Sequence, residues 1–133
     1  MDARTLTGAE TFLRMLSTMG IERIFASPGS EWAPVWEHLA KTYPPGTIPQ
    51  YTSTRHEEVA LGMASGYFKS TGKMAAVMIH TTVGSLHGAM ALRGALHENV
   101  PMVVFSGESV GFGHEAAPDP GPQWQGSPPT SAR

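Results

Sequence analysis

The 133-residue chain reads as a doubly wound α/β domain, a parallel sheet with helices on both faces. Three observations predict this. Short apolar runs around Ile24, Val77 and Val103 are nearly continuous rather than alternating, as strands covered on both sides must be. Between them lie longer stretches with apolar residues at helical spacing. Each strand runs into a polar turn rich in small residues before the chain becomes helical again.

Thr7-Gly8-Ala9-Glu10 has the Thr-x-x-Glu form of a capping box, and Phe12, Leu13, Leu16 and Met19 follow at helical spacing, so a first helix ends at Gly20. Arg23 to Ala26 is short and partly β-branched, and Ser27-Pro28-Gly29-Ser30 stops it as a strand. A helix through Trp36 and Leu39 follows, closed by Pro44-Pro45-Gly46. Next come a short strand from Ile48 to Thr52, a helix from about Arg55 to Ser70, and the apolar strand Met74 to Ile79. Another helix spans about Ser85 to Leu96, and a last strand, Met102 to Phe105, stops at Ser106-Gly107. Beyond Gly111, Pro118, Pro120, Pro122, Pro128 and Pro129 crowd among Gly, Ser and Gln. Residues 1–112 are therefore expected to form one domain and residues 113–133 an irregular tail.

The formal net charge of -2, with both signs scattered, provides no basic stripe for a phosphate backbone, which argues against nucleic acid as a partner. Cysteine is absent, which removes disulfides, thiolate metal sites and thiol nucleophiles. No apolar run approaches a membrane span, and Met1-Asp2-Ala3-Arg4 does not open a leader pattern. The expectation is a soluble, unexported, cytoplasmic protein with no membrane partner. His38, His56, His80, His87, His97 and His114 show no tight ligand spacing of the zinc-site kind, so no metal ligands are expected from this chain.

In an open α/β sheet, ligands bind beyond the carboxyl ends of the strands. Four turns would converge there: Ser27 to Ser30, Thr52 to Glu57, His80 to Ser85, and Ser106-Gly107-Glu108-Ser109. Glu57 lies in the second of these turns, but on the residues alone Thr54-x-x-Glu57 reads as a capping box, with a structural job at the start of its helix. His80 ends a buried strand, where an imidazole can be held by neighbours and still face a cleft, or be no more than a hydrogen-bonded histidine. Glu58 reads as a solvated helix carboxylate and His56 as either structural or a support for a site residue, while His87 receives no assignment. Gly62 and Gly66, with Ala60 and Ala64, form a small-residue face that lets another backbone come close, which ordinary helix-on-sheet packing would use.

Arg55-His56-Glu57, Gly62-Met63-Ala64-Ser65-Gly66-Tyr67, Gly72-Lys73 and Val100-Pro101-Met102-Val103-Val104 occur in this order between Thr7 and Gly107. Together they resemble the N-terminal pyrimidine-binding (PYR) domain of thiamine-diphosphate-dependent enzymes of the acetolactate synthase and benzoylformate decarboxylase superfamily. Pro28-Gly29-Ser30 resembles the first turn of benzoylformate decarboxylase, and Ile79-His80, followed by small polar residues and Gly84, resembles its third. Two departures are Thr82-Val83-Gly84 in place of the commoner Gly-Pro-Gly, and His87 where an asparagine is usual.

The resemblance implies that Glu57 bonds the ring nitrogen N1′ of the cofactor's aminopyrimidine, favours its imino tautomer and so promotes ylid formation at C2 of the thiazolium. Burial beside the apolar heterocycle would raise the Glu57 pKa towards neutrality. By the same resemblance Pro28, Gly29 and Gly84 bring backbone groups up to the pyrimidine, Ser30 meets the substrate carboxylate, and His80 is a substrate-binding acid/base. The implied substrate is a small 2-oxo acid, which is decarboxylated, the resulting carbanion being either protonated or joined to a second carbonyl. Mg2+ would be held with the diphosphate by another domain carrying Gly-Asp-Gly followed by an asparagine, a pattern this chain lacks. The implied partner is a second copy or a complementary diphosphate-binding subunit, and by the same resemblance the small-residue face of Gly62 and Gly66 would lie at a subunit contact. The family domain continues beyond the fourth strand, so the expectation is a sheet truncated at its C-terminal end, and a chain inactive alone. The alternative is a non-catalytic binding or assembly module of the same fold, which retention of Glu57 argues against.

Overall fold

The structure, a computed structural model, describes residues 5–107. The expected tail, and Glu108 and Ser109 of the fourth turn, lie outside the described residues. The elements are α1 (Gly8–Thr18), β1 (Arg23–Ser27), a short 3-10 turn (Ser30–Trp32), α2 (Ala33–Leu39), β2 (Gln50–Ser53), α3 (Glu57–Thr71), β3 (Ala75–Ile79), α4 (Thr81–His87), α5 (Ala89–His97) and β4 (Met102–Ser106). The four strands form one parallel sheet in the order β2-β1-β3-β4. The chain steps outward from β1 to β2, then returns across β1 to lay down β3 on its other side. Strand order therefore reverses between β1 and β3, where an open α/β sheet opens a crevice at its C-terminal edge.

Alternation along the two central strands feeds two cores. Ile24, Ala26, Ala76 and Met78 pack with Leu13 and Leu16 of α1 and Val35 of α2. Phe25, Ala75, Val77 and Ile79 pack on the opposite face with Ala60, Leu61 and Ala64 of α3. Both faces are covered, which is why the strands read as unbroken apolar runs. Leu13, Leu16, Ile24 and Leu61 are essentially inaccessible to solvent, each burial stabilising by about 1.5–3 kcal/mol.

The Thr7 hydroxyl accepts from the Glu10 backbone N–H at 3.2 Å, as the capping motif predicts, while Arg14 holds the Glu10 carboxylate at 2.9 Å. Gly72 ends α3 in the left-handed region, its N–H donating to the Phe68 carbonyl at 2.7 Å. Ala60 and Ala64 face the sheet, but Gly62 and Gly66 are exposed with open space around them, so packing on the sheet accounts only for the alanines. Among the described residues no helix is long and apolar enough to cross a membrane.

Two expectations are corrected. The third turn is not a loop: α4 begins at Thr81, directly after His80, and the helix expected from Ser85 to Leu96 is two helices meeting at Gly88. Thr-Thr-Val-Gly is a weak helix former, but α4 is held by packing, since a Cβ at Gly88 would stand 2.7 Å from Leu61 Cδ1. The second strand begins at Gln50 rather than Ile48, where pairing with Arg23 starts.

Candidate active site

The end of β1 touches two carboxylate–histidine pairs. Ser27 is paired with Ile79, which brings Pro28 and Gly29 alongside His80. His80 Nδ1 lies 2.9 and 2.8 Å from the two carboxylate oxygens of Glu31, and the Gly29 N–H donates to Glu31 Oε1 at 3.2 Å. The Glu31 side chain is 1% exposed and that of His80 22%, so the carboxylate is the buried anchor and the imidazole the exposed end. Among the described residues His80 Nε2 has no hydrogen-bond partner. Trp32 fixes this corner by donating its Nε1–H to the Ile79 carbonyl at 3.2 Å. Space is tight: a Cβ on Gly29 would come within 2.2 Å of His80 Nδ1, and one on Gly107 within 2.1 Å of Glu31 Cγ.

The second pair stands where β2 turns into α3. Glu57 is the first residue of α3, and its Oε2 lies 2.7 Å from Nδ1 of His87, the last residue of α4. The rings of His56 and His87 meet edge to face at 5.3 Å. Gly84 is buried beneath the carboxylate, where a Cβ would sit 3.0 Å from Glu57 Oε1. The capping reading of Glu57 is overturned. His56 is the N-cap residue and makes no side-chain cap bond, while the Thr54 hydroxyl donates to the carbonyls of Ala26 and His56. Glu57 thus has no partner role in a Thr54 capping box.

Burial acts most strongly on Glu57 and opposes its ionisation. Hydrogen bonds from His87, the Glu57 backbone and Ser27, with the His87 charge, together outweigh it and hold the carboxyl below its ordinary value. The rise expected from burial beside a heterocycle is therefore not a property of the free chain. His87 moves the opposite way, raised chiefly by its hydrogen bond to Glu57 against some desolvation, with the charges of Glu57 and Glu58 adding to the rise.

The residues singled out in the sequence fall into these groups. Gly29 and His80 share the first cluster, Glu57 and Gly84 the second, and Pro28 is half-buried on the segment joining them. Ser30 is exposed at the start of the 3-10 turn, and its hydroxyl makes no hydrogen bond among the described residues. Two residues were missed. Glu31 follows the Pro-Gly-Ser turn directly, and a charged residue just past a strand-ending glycine was the available signal. His87 is 30 positions from Glu57, and nothing local announces the pairing. The same fold brings His56, Glu57 and His87 together as possible metal ligands, their donor atoms all within 4.8 Å, although no spacing in the chain suggested it.

Residues 6–111 match the family model described as thiamine pyrophosphate enzyme, N-terminal TPP binding domain. The chain is 36% identical over 103 residues to the acetolactate synthase large subunit of Buchnera aphidicola subsp. Schizaphis graminum, covering 77% of this chain and 17% of that protein. It is 31% identical, over 77% of its length and 18% of the other's, to a probable 2-ketoarginine decarboxylase of Pseudomonas aeruginosa. Among solved structures, the thiamine diphosphate-dependent 4-hydroxybenzoylformate decarboxylase of Rhodococcus jostii superposes with a TM-score of 0.68 at 30% identity, over 79% of this chain and 19% of that one. The chain thus spans less than a fifth of the length of these relatives. With a parallel sheet, a reversal of strand order at β1 and β3, and a matching family model over most of its length, this chain belongs to the thiamine pyrophosphate enzyme family, as an N-terminal TPP binding domain.

Proposed function

We propose that this chain supplies the pyrimidine side of a thiamine-diphosphate site in an enzyme that decarboxylates a 2-oxo acid or transfers the resulting carbanion. The observation that carries this reading is Glu57, a carboxylate that is not part of a Thr54 capping box, set against the bare backbone of Gly84 at the C-terminal edge of the sheet. The surroundings fit an aminopyrimidine. Gly84 presents no side chain, and the Thr81 hydroxyl beside His80 is buried with no hydrogen-bond partner among the described residues. When bound, thiamine diphosphate supplies a nucleophilic carbon at C2 of its thiazolium ring.

Glu57 would hold the proton at N1′ of the pyrimidine, a task a carboxyl group performs because it can both give and accept that proton. His87 occupies Oε2 and keeps the free carboxyl ionised. Covering Glu57 with the ring adds desolvation, which works to raise its pKa when proton transfer is needed. Pro28 and Gly29 would bring backbone to the ligand. His80, with Nδ1 held by Glu31, would turn Nε2 to the substrate as acid/base, and the exposed Ser30 hydroxyl would meet the substrate carboxylate. Magnesium and the diphosphate would be held by a complementary domain, in another copy or another subunit, so the chain alone would not turn over. The cysteine-free composition is in keeping with a cytoplasmic enzyme.

Glu57→Gln tests the reading, with a diphosphate-binding domain supplied on the same or a second chain. Gln keeps the shape but cannot exchange a proton with N1′. Hydrogen–deuterium exchange at cofactor C2 is expected to fall by about 10²–10⁴-fold with the melting temperature nearly unchanged. Near-normal exchange would remove the mechanism.

A further inference from the structure

We propose that His56, Glu57 and His87 form a binding site for one borderline divalent metal ion of the zinc type. Their donors are two imidazole nitrogens and a carboxylate oxygen, and the atoms lie within 4.8 Å of one another. A tetrahedral zinc ion with bonds of about 2.0–2.2 Å needs its ligand atoms somewhat closer, so modest side-chain rotations must close the set. The exposed His56 is free to swing in, while Glu57 and His87 need only exchange the hydrogen bond between them for bonds to the ion. His56 and His87 are exposed, and the His56 ring makes an edge contact with His87 but no hydrogen bond among the described residues. Glu57 and His87 are already joined at 2.7 Å, so two of the three donors are held in place before any ion arrives.

The donor set decides which metal. Two nitrogens and one oxygen suit zinc, cobalt or nickel, whereas magnesium and calcium require mostly oxygen ligands. Position decides the balance of charge. His56 and Glu57 lie at the amino end of α3, whose dipole disfavours a cation, but the Glu57 carboxylate offsets this and His87 lies at the carboxyl end of α4, which favours one. Three protein ligands leave a fourth position for water. Glu57 cannot serve the ion and a pyrimidine nitrogen through the same oxygen, so metal and cofactor should compete. That competition rests on the cofactor reading of Glu57; the metal site itself does not.

The test is titration of the untagged 133-residue chain with ZnCl2 by calorimetry, and with CoCl2 by visible absorption. One ion per chain is expected, with the intense d–d bands of four-coordinate cobalt, and no heat with MgCl2. His56→Ala and His87→Ala should each weaken binding by about tenfold or more, as loss of a ligand must at least match loss of a supporting partner. His97→Ala, on the exposed side of α5, should leave it unchanged, and circular dichroism verifies that each variant is folded. Absence of binding, binding indifferent to His56→Ala and His87→Ala, or equal binding of magnesium would overturn the site. Glu57→Gln separates the two readings: weakened metal binding with normal C2 exchange leaves the metal site standing and removes the cofactor role, and the reverse result does the opposite.

Discussion

The two edges of the sheet use glycine for opposite reasons. At the edge where strands begin, Gly20, Gly46 and Gly72 have φ of 78°, 79° and 72°, and a Cβ on any of them would meet nothing within 4 Å. At the edge where strands end, Gly29, Gly84 and Gly107 show no positive φ, yet a Cβ on each would press on Glu31, His80 or Glu57. The first group supplies backbone conformation; the second supplies room. Charge follows the same division. Lys73 pairs with Glu22 in the open at the entry edge, each side chain about half exposed, while Glu31 at the exit edge is 1% exposed. The turns at the entry edge are open and solvated, and those at the exit edge, where the candidate site lies, are crowded around a few polar groups.

Asparagine substitution separates the two kinds of glycine, because Asn tolerates the left-handed region but brings a bulky side chain. The largest stability effect is expected at Gly29. Gly29→Ala should cost about 1–3 kcal/mol in urea unfolding, as overpacking does, and Gly29→Asn should cost more. At the entry edge Gly72→Ala should cost about 1–2 kcal/mol through backbone strain, and Gly72→Asn distinctly less. A milder Asn than Ala at Gly29, or an equal cost for both at Gly72, would dissolve the distinction.

Gly84→Ala is expected to be smaller in stability, under about 1 kcal/mol, because its nearest neighbour is the movable end of Glu57 at 3.0 Å rather than backbone. The displaced carboxylate should nevertheless slow C2 exchange in the assembled enzyme, and unchanged exchange would detach Gly84 from the site.

The smallest effect belongs to Lys73. Its hydrogen bond, and then its charge, hold the Glu22 carboxyl below the ordinary value. A carboxylate depressed in the folded state stabilises above its unfolded pKa, and that contribution is lost as pH falls through the folded value. Lys73→Gln should therefore move the NMR titration of Glu22 upward, with no resolvable change in melting temperature at neutral pH, since solvent and salt screen so exposed a pair. A clear drop in melting temperature would give the entry edge an energetic role the geometry denies it.

Periodicity made the fold legible, because Ile24 and Val77 sit in central strands whose two faces are both buried and which therefore read as apolar runs, while Val103 sits in the half-buried edge strand β4, where the same run of apolar residues is kept. Glycine was less readable. Gly84 could be taken for a loop residue because propensity is local, while the reason a glycine is needed there is the Glu57 side chain, 27 positions away, which would lie 3.0 Å from a Cβ. Thr54-x-x-Glu57 imitated a cap because the pattern cannot tell that the Thr54 hydroxyl is spent on Ala26 and His56 carbonyls. Glu57 and His80 were singled out through the family motifs around them; Glu31 had only its place just past the Pro28-Gly29 turn to mark it, and His87, 30 positions from Glu57, had no local signal.

Every strand is entered through one left-handed residue: Gly20 before β1, Gly46 before β2, Gly72 before β3 and Asn99 before β4. Asn99 is the one that manages without glycine, at φ 54°. For protein engineering this makes the domain one-sided. Loop grafts, purification tags or the new termini of a circular permutant belong among the entry turns, the exposed run Pro44-Pro45-Gly46 among them, because nothing there bears on the carboxylates at the far edge.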